Sequence, residues 1–325
     1  MVTGPADTYS LLADIGGTNT RVALARGTEL LPDTIRKYRN ADYPGLETVL
    51  STFLAEEGNP DCAGACVAAA GPVRDGVATL TNLDWTIDGE TVARAAHAET
   101  VAVLNDLQAQ GHALGHLAPE ALTTILDGPD AGPQAAKLVI GLGTGFNCAP
   151  VYETPGGRYV PPAEAGHANL PIRTEAELEL CRELENVHGF PSVEEVLSGR
   201  GLVHTYAWLA RRAGNPREVT SAGIFAAAES GSDPVAEETL RLFVKMFGTV
   251  TGNLSLIHLP FGGIFLIGGM ARAVTPWLGP LGYGEAMRDK GRFSGFMKNF
   301  PVYVIEDDYA ALTGCAHHLA ARLAR

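Results

Sequence analysis

Apolar residues recur along the chain at two alternating spacings, which predict strands and helices in turn. Near the start, short apolar runs predict successive strands at Tyr9–Ile15, Thr20–Arg26 and Thr34–Arg39, the layout of an antiparallel meander. Pro44 then opens a predicted helix, because apolar residues from Leu46 to Leu54 keep helical spacing and proline suits a first helical position. This alternation indicates an α/β protein.

The later elements follow the same alternation. In the first half we predict strands at Cys62–Ala70 and Thr100–Leu104, an edge ribbon at Val73–Asn82 and a helix at Val92–His97. In the second half we predict a strand from Leu138, helices at Glu175–Val187, Val193–Ala213 and Asp233–Ile257, strands at Phe261–Met270 and Pro301–Ile305, and a last helix from Asp308 that packs on the first domain. A Gly- and Pro-rich stretch between Pro119 and Pro133 marks the crossing between two domains.

A glycine turn, Asp14-Ile15-Gly16-Gly17-Thr18-Asn19, joins the first two predicted strands. Adjacent glycines permit positive φ and leave no Cβ in the way, so main-chain N–H groups there can hold phosphate. Asp14 would face that anion as a like charge, which requires a cation such as Mg²⁺ between them, directly or through water. The alternative is a β-hairpin whose turn needs glycine.

A second glycine turn supports the phosphate interpretation, and a third glycine pair is open to two explanations. Gly141-Leu142-Gly143-Thr144-Gly145 ends the strand from Leu138, and Gly268-Gly269 lies near the end of a later strand. The first two turns match neither the P-loop, since no Gly-Lys-Ser/Thr follows, nor the dinucleotide fingerprint, since a strand comes next. Gly268-Gly269 suits either a flat base lying along the backbone or a packing turn. The recurrence indicates two related domains.

Asp106 is the candidate catalytic base. It follows Asn105 at the end of a buried strand, where functional groups of α/β sheets gather. A carboxylate beside an amide can accept a proton and fix a hydroxyl group. The alternative is that Asp106 only caps a helix starting at Leu107.

A second polar cluster is Glu164-Ala165-Gly166-His167. The prolines before it and the glycine inside it predict a loop, where Glu164 and His167 are better placed to bind sugar hydroxyls than to bind a metal from a helix. A plain surface loop is the alternative. Glu194 and Glu195 open a predicted helix, so the helix dipole alone could explain them.

Composition excludes several classes of partner. The net charge of −13 has no basic run to offset it, so we expect neither nucleic acid nor membrane partners. Met1–Asp7 lacks signal-peptide features and no apolar stretch approaches the ~18 residues of a membrane span, so we expect a cytoplasmic protein. The five cysteines lack paired spacing, which favours free thiols over a structural zinc site.

Together these motifs resemble those of the bacterial glucokinases of the hexokinase superfamily. The resemblance runs nearly end to end, through Asp14–Asn19, Ala70–Val73, Thr81-Asn82 with Trp85, Asn105-Asp106, Gly143–Gly145, Glu164 with Gly166-His167, Glu194 with Val196–Gly199, Ile267–Gly269 and Asp289–Phe293. It implies a two-domain actin-like ATPase (ribonuclease H-like) fold with a central cleft. We place a small α/β domain at residues 1–113 plus 306–325 and a large one at 114–305.

The resemblance also implies a reaction, the phosphorylation of glucose at its 6-hydroxyl by ATP with Mg²⁺. The hexose ligands would be Asn105, Asp106, Glu164, His167 and Glu194, with Asp106 as base. The nucleotide site would comprise Asp14, Gly16, Gly17, Thr18, Asn19, Gly143, Thr144, Gly268 and Gly269, with Asp14 holding Mg²⁺ through water. We expect a homodimer.

One departure from the family pattern affects the phosphoryl donor. Where the family's second phosphate loop usually continues with Leu-Gly, this chain has Phe146-Asn147. Two other functions stay open: a kinase for another hexose or amino sugar, and a nucleotide switch of the actin or chaperone type. The polar residues around Asp106 argue against a switch, because a plain ATPase has no use for them.

Overall fold

The computed structural model describes residues 8–80 and 83–324, and within them the chain forms two compact units. The first unit contains the described parts of Met1–Pro119, Thr154–Pro162 and Asp307–Arg325. The second contains Glu120–Glu153 and Ala163–Glu306. Three sequence features, the start Met1–Asp7 and the motif residues Thr81 and Asn82, lie outside the described residues.

Strands and helices alternate through both units. The strands are β1 (Tyr9–Ile15), β2 (Asn19–Arg26), β3 (Glu29–Leu30), β4 (Arg36–Arg39), β5 (Cys62–Ala69), β6 (Val73–Arg74), β7 (Val77–Thr79), β8 (Thr86–Asp88), β9 (Thr100–Asn105), β10 (Leu122–Leu126), β11 (Lys137–Leu142), β12 (Phe146–Thr154), β13 (Gly157–Tyr159), β14 (Ile264–Ile267) and β15 (Val302–Ile305). The α-helices are α1 (Leu46–Glu56), α2 (Gly89–Ala96), α3 (Asp106–Ala113), α4 (Glu175–His188), α5 (Gly199–Arg212), α6 (Ser221–Glu229), α7 (Pro234–His258), α8 (Gly269–Leu278), α9 (Tyr283–Arg288) and α10 (Ala310–Leu323).

The first unit is built on a mixed sheet with strand order β3-β2-β1-β5-β9, in which β4 also pairs with β2. β1 and β2 are antiparallel, whereas β1, β5 and β9 are parallel. Successive side chains of β1 point to opposite faces. Leu11 and Ile15 pack in the core that includes Phe53 of α1, and Leu12 packs in the core that includes Leu312 of α10. Helices therefore cover both faces of this sheet.

The second unit is built on a sheet that contains the strand order β10-β15-β14-β11-β12. β11 and β12 form an antiparallel hairpin, and β11, β14 and β15 are parallel. The large core of this unit includes Phe243 and Phe247 of the long helix α7, both fully buried. Asp233 caps α7 by accepting a hydrogen bond from the Val235 N–H at 3.0 Å.

The two units repeat one pairing pattern. In each, an antiparallel hairpin joined by a glycine turn lies beside two further parallel strands: β1–β2 beside β5 and β9, and β11–β12 beside β14 and β15. The recurrence of strand, glycine turn and strand in the sequence therefore has a structural counterpart. In both sheets the glycine turn follows the carboxyl end of a parallel strand.

Several predicted boundaries differ from the structure. Helix α1 begins at Leu46 rather than at Pro44, which stands before the N-cap Gly45. The stretch between Pro119 and Pro133 contains strand β10, which was not predicted because glycine and proline dominate its flanks. Helix α6 was also not predicted, and the strand predicted at Phe261–Met270 covers only Ile264–Ile267. The helix predicted at Val193–Ala213 is divided in the structure, because a 3-10 turn covers Val193–Glu195 and α5 begins only at Gly199.

Helices in the described part of the chain are too short or too polar to cross a bilayer.

Candidate functional site

The first glycine turn connects β1 to β2, as predicted. Gly17 and Thr18 are exposed at its tip, and the Gly16 N–H donates to the Asn19 carbonyl at 3.0 Å. Gly16 and Gly17, both within the described residues, do not have positive φ, so the expected conformational reason for these glycines is wrong. The exposed tip still leaves main-chain groups accessible to an anion.

A buried asparagine on a neighbouring segment holds this turn. Asn40 is 1% exposed, and its side-chain N–H donates to the Gly16 carbonyl at 2.8 Å. Its main-chain N–H donates to the Thr18 carbonyl at 2.9 Å, and its Oδ1 accepts from the Thr20 hydroxyl at 2.8 Å. Three hydrogen bonds made by the single residue Asn40 therefore hold the turn in place.

Asp14 lies at the end of β1, opposite Arg21 on β2. Arg21 Nη1 is 3.3 Å from Asp14 Oδ2. Burial raises the pKa of the Asp14 carboxyl, and the nearby Arg21 guanidinium opposes that shift. Arg21 therefore already balances part of the negative charge that was expected to require a cation.

Asn105 ends β9 and Asp106 follows it. Both lie at the same sheet edge as the first glycine turn, because Ile15 is in register with Ala69 and Ala69 with Asn105. Asn105 is the N-cap of α3: its Oδ1 accepts from the Leu107 N–H at 2.9 Å. Its own N–H donates to Gln108 Oε1 at 3.0 Å, which completes a capping box. Helix α3 thus begins at Asp106 rather than after it.

The Asp106 carboxylate also lies at this helix terminus. Its Oδ1 accepts from the Leu107 N–H at 2.8 Å. The Asn105 side-chain N–H donates to the Gly71 carbonyl at 2.9 Å, which ties the start of α3 to the loop after β5. Since Asn105 caps the helix, the interpretation of Asp106 as the N-cap residue is wrong.

The second glycine turn joins β11 to β12 and meets Gly268. Because β11 and β14 are parallel with Gly141 opposite Ile267, both strands end at one edge. Gly268 has φ +104, and a Cβ there would lie 2.4 Å from the Leu142 carbonyl oxygen. Only glycine tolerates both the positive φ and this close approach. The structure thus places the predicted residues Gly143 and Gly268 next to each other.

Helix N-termini flank this second turn. Helix α8 begins at Gly269, and α5 begins at Gly199, whose N–H donates to the Gly143 carbonyl at 2.9 Å. Thr144 and Gly269 are exposed. Helix N-termini carry partial positive charge, and the exposed Thr144 and Gly269 leave this corner of the second unit open to an anion.

Glu164 and His167 lie on a loop, as predicted, with a short 3-10 turn at Ala165–His167. The loop is held by Asn147 of β12: its Nδ2 donates to the Ala163 carbonyl at 2.6 Å, and its Oδ1 accepts from the Ala165 N–H at 2.9 Å. Asn147 Nδ2 also lies 3.3 Å from Glu164 Oε2. Asn147, one of the two residues that depart from the family pattern, therefore positions the predicted hexose ligand Glu164.

The loop approaches β12 closely at Gly166. A Cβ at Gly166 would lie 1.9 Å from the Phe146 carbonyl oxygen, so a larger residue would push the loop off the strand. Burial raises the pKa of the Glu164 carboxyl, an effect that His167 opposes and Glu194 reinforces. The same Cβ at Gly166 would lie 3.5 Å from the Glu194 Cβ, so the loop and Glu194 are neighbours.

Glu194 connects this cluster to the second glycine turn. It lies in a 3-10 turn, Val193–Glu195, and not at the start of a long helix as predicted. Its Oε2 accepts from the Phe146 N–H at 2.9 Å, directly after the Gly143–Gly145 turn. The helix-dipole explanation of Glu194 is therefore wrong, because the partner of its carboxylate is a strand N–H from elsewhere in the chain.

The predicted residues fall into two groups by unit. The first unit carries Asp14, Gly16, Gly17, Thr18, Asn19, Asn105 and Asp106, and the second carries Gly143, Thr144, Glu164, His167, Glu194, Gly268 and Gly269. Sequence reasoning missed Asn40, Arg21 and Asn147, which hold these residues in place. The pairing of Arg21 with Asp14 could have been found, because a tight hairpin puts the two opposite each other.

Known proteins of similar sequence are glucokinases. A family model described as Glucokinase matches residues 11–322. The glucokinase of Mesorhizobium japonicum is 34% identical over 309 residues, covering 94% of this chain and 90% of its own length. That of Marinobacter nauticus is 33% identical over 320 residues, covering 97% and 98%.

The structure gives the same answer. The crystal structure of a glucokinase from an Antarctic psychrotroph superimposes with a TM-score of 0.85 at 30% identity, covering 96% of this chain and 98% of that one. Family model, sequences and structure all extend over nearly the whole chain. The chain therefore belongs to the glucokinase family.

Proposed function

We propose that this chain transfers the γ-phosphoryl group of ATP to the 6-hydroxyl of glucose. The observation that carries the proposal is the hydrogen bond from the Phe146 N–H to Glu194 Oε2. It joins a glycine turn suited to phosphate to a cluster of Glu164, His167 and Glu194 suited to sugar hydroxyls. A nucleotide switch would need only the turn. Membership of the glucokinase family supports the same assignment.

We assign the two units to the actin-like ATPase fold, of ribonuclease H-like type, on the repeated strand pattern. Gly16, Gly17, Thr18 and Asn19 in the first unit and Gly143, Thr144, Gly268 and Gly269 in the second are the proposed contacts of ATP. Their exposed turns and the helix N-termini at Gly199 and Gly269 support phosphate binding.

Asp106 is the proposed general base for the 6-hydroxyl, and Asn105, Glu164, His167 and Glu194 are the proposed hexose ligands. Phosphoryl transfer needs little covalent chemistry from the protein, so these residues act by orienting the hydroxyl and accepting its proton. The carboxylate oxygens of Asp14 are hard donors that suit Mg²⁺, and the Arg21 ion pair at 3.3 Å favours contact through water. Mg²⁺ would supply neutralisation of phosphate charge.

The test is ADP release measured directly by chromatography with ATP, Mg²⁺ and a panel of glucose, mannose, fructose, galactose, glucosamine and N-acetylglucosamine. We expect the highest kcat/KM with glucose, loss of activity in EDTA and recovery with excess Mg²⁺. A higher kcat/KM with another sugar would favour the alternative hexose kinase. ADP release that no sugar accelerates would favour the nucleotide switch. The predicted homodimer is tested separately by light scattering.

A further inference from the structure

Three potential metal ligands converge on the second unit beside the proposed hexose cluster. His188 ends α4, Glu195 ends the 3-10 turn after it, and His204 lies in the second turn of α5. His188 Nε2 lies 3.2 Å from His204 Nδ1 and 3.3 Å from Glu195 Oε2. His204 Nδ1 lies 4.0 Å from the same carboxylate oxygen. One potential ligand atom of each residue therefore lies within 4.8 Å of the other two.

The backbone that carries these ligands is braced. Ion pairs from Arg211 to Glu183 and from Arg212 to Glu179 join α5 to α4. Ser198 caps α5, since its hydroxyl oxygen accepts from the Gly201 N–H at 2.9 Å. The positions of the two histidines are therefore set by the packing of their helices.

The distances between the ligand atoms fit a small tetrahedral ion. Nitrogen and oxygen ligands lie about 2.0–2.2 Å from Zn²⁺, so two of them at a tetrahedral angle are roughly 3.3–3.5 Å apart. The two pairs that include His188 Nε2, at 3.2 and 3.3 Å, match this spacing. The remaining pair, at 4.0 Å, needs a shift below about 1 Å, within reach of a half-exposed His204 ring.

The two carboxylate oxygens of Glu195 differ in their hydrogen bonding. Glu195 Oε1 accepts from Arg200 at 2.8 Å. Glu195 Oε2 is buried and accepts no hydrogen bond from any residue that the structure describes, although the His188 ring lies near it. A buried carboxylate oxygen without a hydrogen bond is costly, and a cation at the convergence point would remove that cost.

We propose that His188, Glu195 and His204 bind one divalent transition-metal ion of the Zn²⁺ type, with a fourth position open to water. Two imidazoles and one carboxylate suit Zn²⁺, Co²⁺ or Ni²⁺, whereas Mg²⁺ and Ca²⁺ prefer oxygen ligands only. Arg200 orients the carboxylate from its other oxygen, as outer-shell partners of metal ligands commonly do. The competing explanation is a metal-free ion pair between protonated His188 and Glu195.

Metal binding here also bears on the hexose cluster. Arg200 Nη2 lies 2.8 Å from Glu195 Oε1 and 3.5 Å from Glu194 Oε1. A divalent ion on Glu195 weakens the attraction of that carboxylate for the Arg200 guanidinium, which is also the charged neighbour of Glu194. We therefore expect bound metal to raise the KM for glucose. This consequence rests on the proposed function, whereas metal binding itself does not.

The binding test uses metal-free protein at pH 7.5 and Zn²⁺ in competition with a chromogenic chelator. We expect one tight Zn²⁺ per chain, and for Co²⁺ the visible absorption of a tetrahedral site. The variants His204→Gln and Glu195→Gln each remove one ligand, and we expect each to weaken binding at least tenfold. His317→Gln is the matched control, because His317 stacks on His116 in the first unit, whereas the three ligands belong to the second.

Circular dichroism melts establish that the variants are folded, and His188→Gln provides a third ligand deletion if one of them is not. Equal Zn²⁺ affinity in the parent and in the folded ligand variants would overturn the site, as would an equal loss in His317→Gln. Stoichiometric binding without any change in glucose KM would retain the metal site and remove only its link to Glu194. Absence of glucose phosphorylation would bear on the proposed function and leave the binding result intact.

Discussion

At the scale of single residues, Asn105 and Asp106 stand side by side at the start of α3. Asn105 makes the capping box of α3 and ties it to Gly71. Asp106 is therefore not required as the N-cap, although its carboxylate also accepts from the Leu107 N–H. A catalytic role and a structural role can thus be separated at this position by a conservative substitution.

We predict that Asp106→Asn lowers kcat for glucose phosphorylation at least a hundredfold, because a general base contributes roughly 10²–10⁴-fold to rate. The amide keeps the size of the side chain and an oxygen for the Leu107 N–H, so the thermal midpoint should stay close to that of the parent. Steady-state kinetics with saturating substrates and a thermal melt measure the two effects.

Asp88→Asn is the matched control for this substitution. Asp88 caps α2 in the same unit and accepts from the Thr91 N–H at 2.8 Å. The substitution Asp88→Asn should leave kcat within about twofold of the parent, since asparagine is also a good cap. An Asp106→Asn enzyme that keeps more than about a tenth of parental kcat, with chemistry limiting the rate, would contradict the base assignment.

The sequence predicted the candidate site residues themselves better than it predicted the residues that hold them in place. Acid and histidine side chains in Glu164-Ala165-Gly166-His167 stand out in the sequence, and the structure places this loop beside Glu194. Asn147 does not stand out, because its partners at Ala163 and Ala165 depend on how a strand and a loop meet. Asn40 was missed for the same reason, as it acts on a turn far back along the chain.

At the scale of elements, the contact of α3 with α10 contains two histidine pairs. His112 Nε2 lies 3.0 Å from His318 Nδ1, and the rings of His116 and His317 stack with centroids 3.5 Å apart. Arg158 adds a positive charge beside them, donating to the Leu114 carbonyl at 2.6 Å. Protonation of these rings would place like charges against each other.

Burial lowers the pKa of His317 to about 4, and the nearby His116 and Arg158 contribute to the shift. The unfolded chain takes up this proton near pH 6.5, and the folded chain only near pH 4. The folded state therefore loses stability as pH falls from 6.5 to 4. We expect the free energy of unfolding to fall by roughly 1 kcal/mol over this range. The effect is this small because solvent screens the half-exposed ring.

The measurement is hydrogen exchange of the α10 amides at pH 7 and pH 5, corrected for intrinsic rates. His317→Gln should flatten the pH dependence, whereas His97→Asn, which changes an exposed histidine of the same unit, should leave it unchanged. Identical pH dependence in the parent and in His317→Gln would refute the role of this ring.

Hydrophobic periodicity predicted the long elements and missed short elements such as β10. The stripe of α7 extends over many turns, so its bounds were predicted almost to the residue. β10 is short, partly exposed and flanked by glycine and proline, so its pattern resembles that of a loop. Its strand character comes from pairing with β15, which is far along the chain.

At the scale of the whole molecule, the chain enters the first unit more than once. Residues 154–162 belong to it, and two contacts explain why: Gln108 Nε2 donates to the Val160 carbonyl at 2.7 Å, and Arg158 binds carbonyls at the end of α3. No sequence pattern indicated this excursion, because it depends on single side chains meeting backbone groups. The return of α10 was predicted, and α10 packs on β1 and β5 of the first unit.

We predict that a chain ending at Glu306 cannot keep the first unit folded. Leu312 and Leu319 of α10 are fully buried, and losing a buried leucine typically costs about 2–5 kcal/mol. Two such losses approach the roughly 5–15 kcal/mol that stabilises a whole domain. Limited proteolysis should cleave the first unit and spare the second. Removal of residues 321–325, of which 321–324 are exposed, is the control and should change neither unit. Protection of both units in the longer truncation would contradict the prediction.

The late position of α10 has a consequence for how the protein is made. During translation β1 and β5 leave the ribosome early, yet the helix that covers Leu12 and Cys66 emerges only after the second unit is complete. Until then the part of this sheet face that α10 covers is open to chaperones or to other nascent chains. The unit that is synthesised first is therefore the one that finishes folding last.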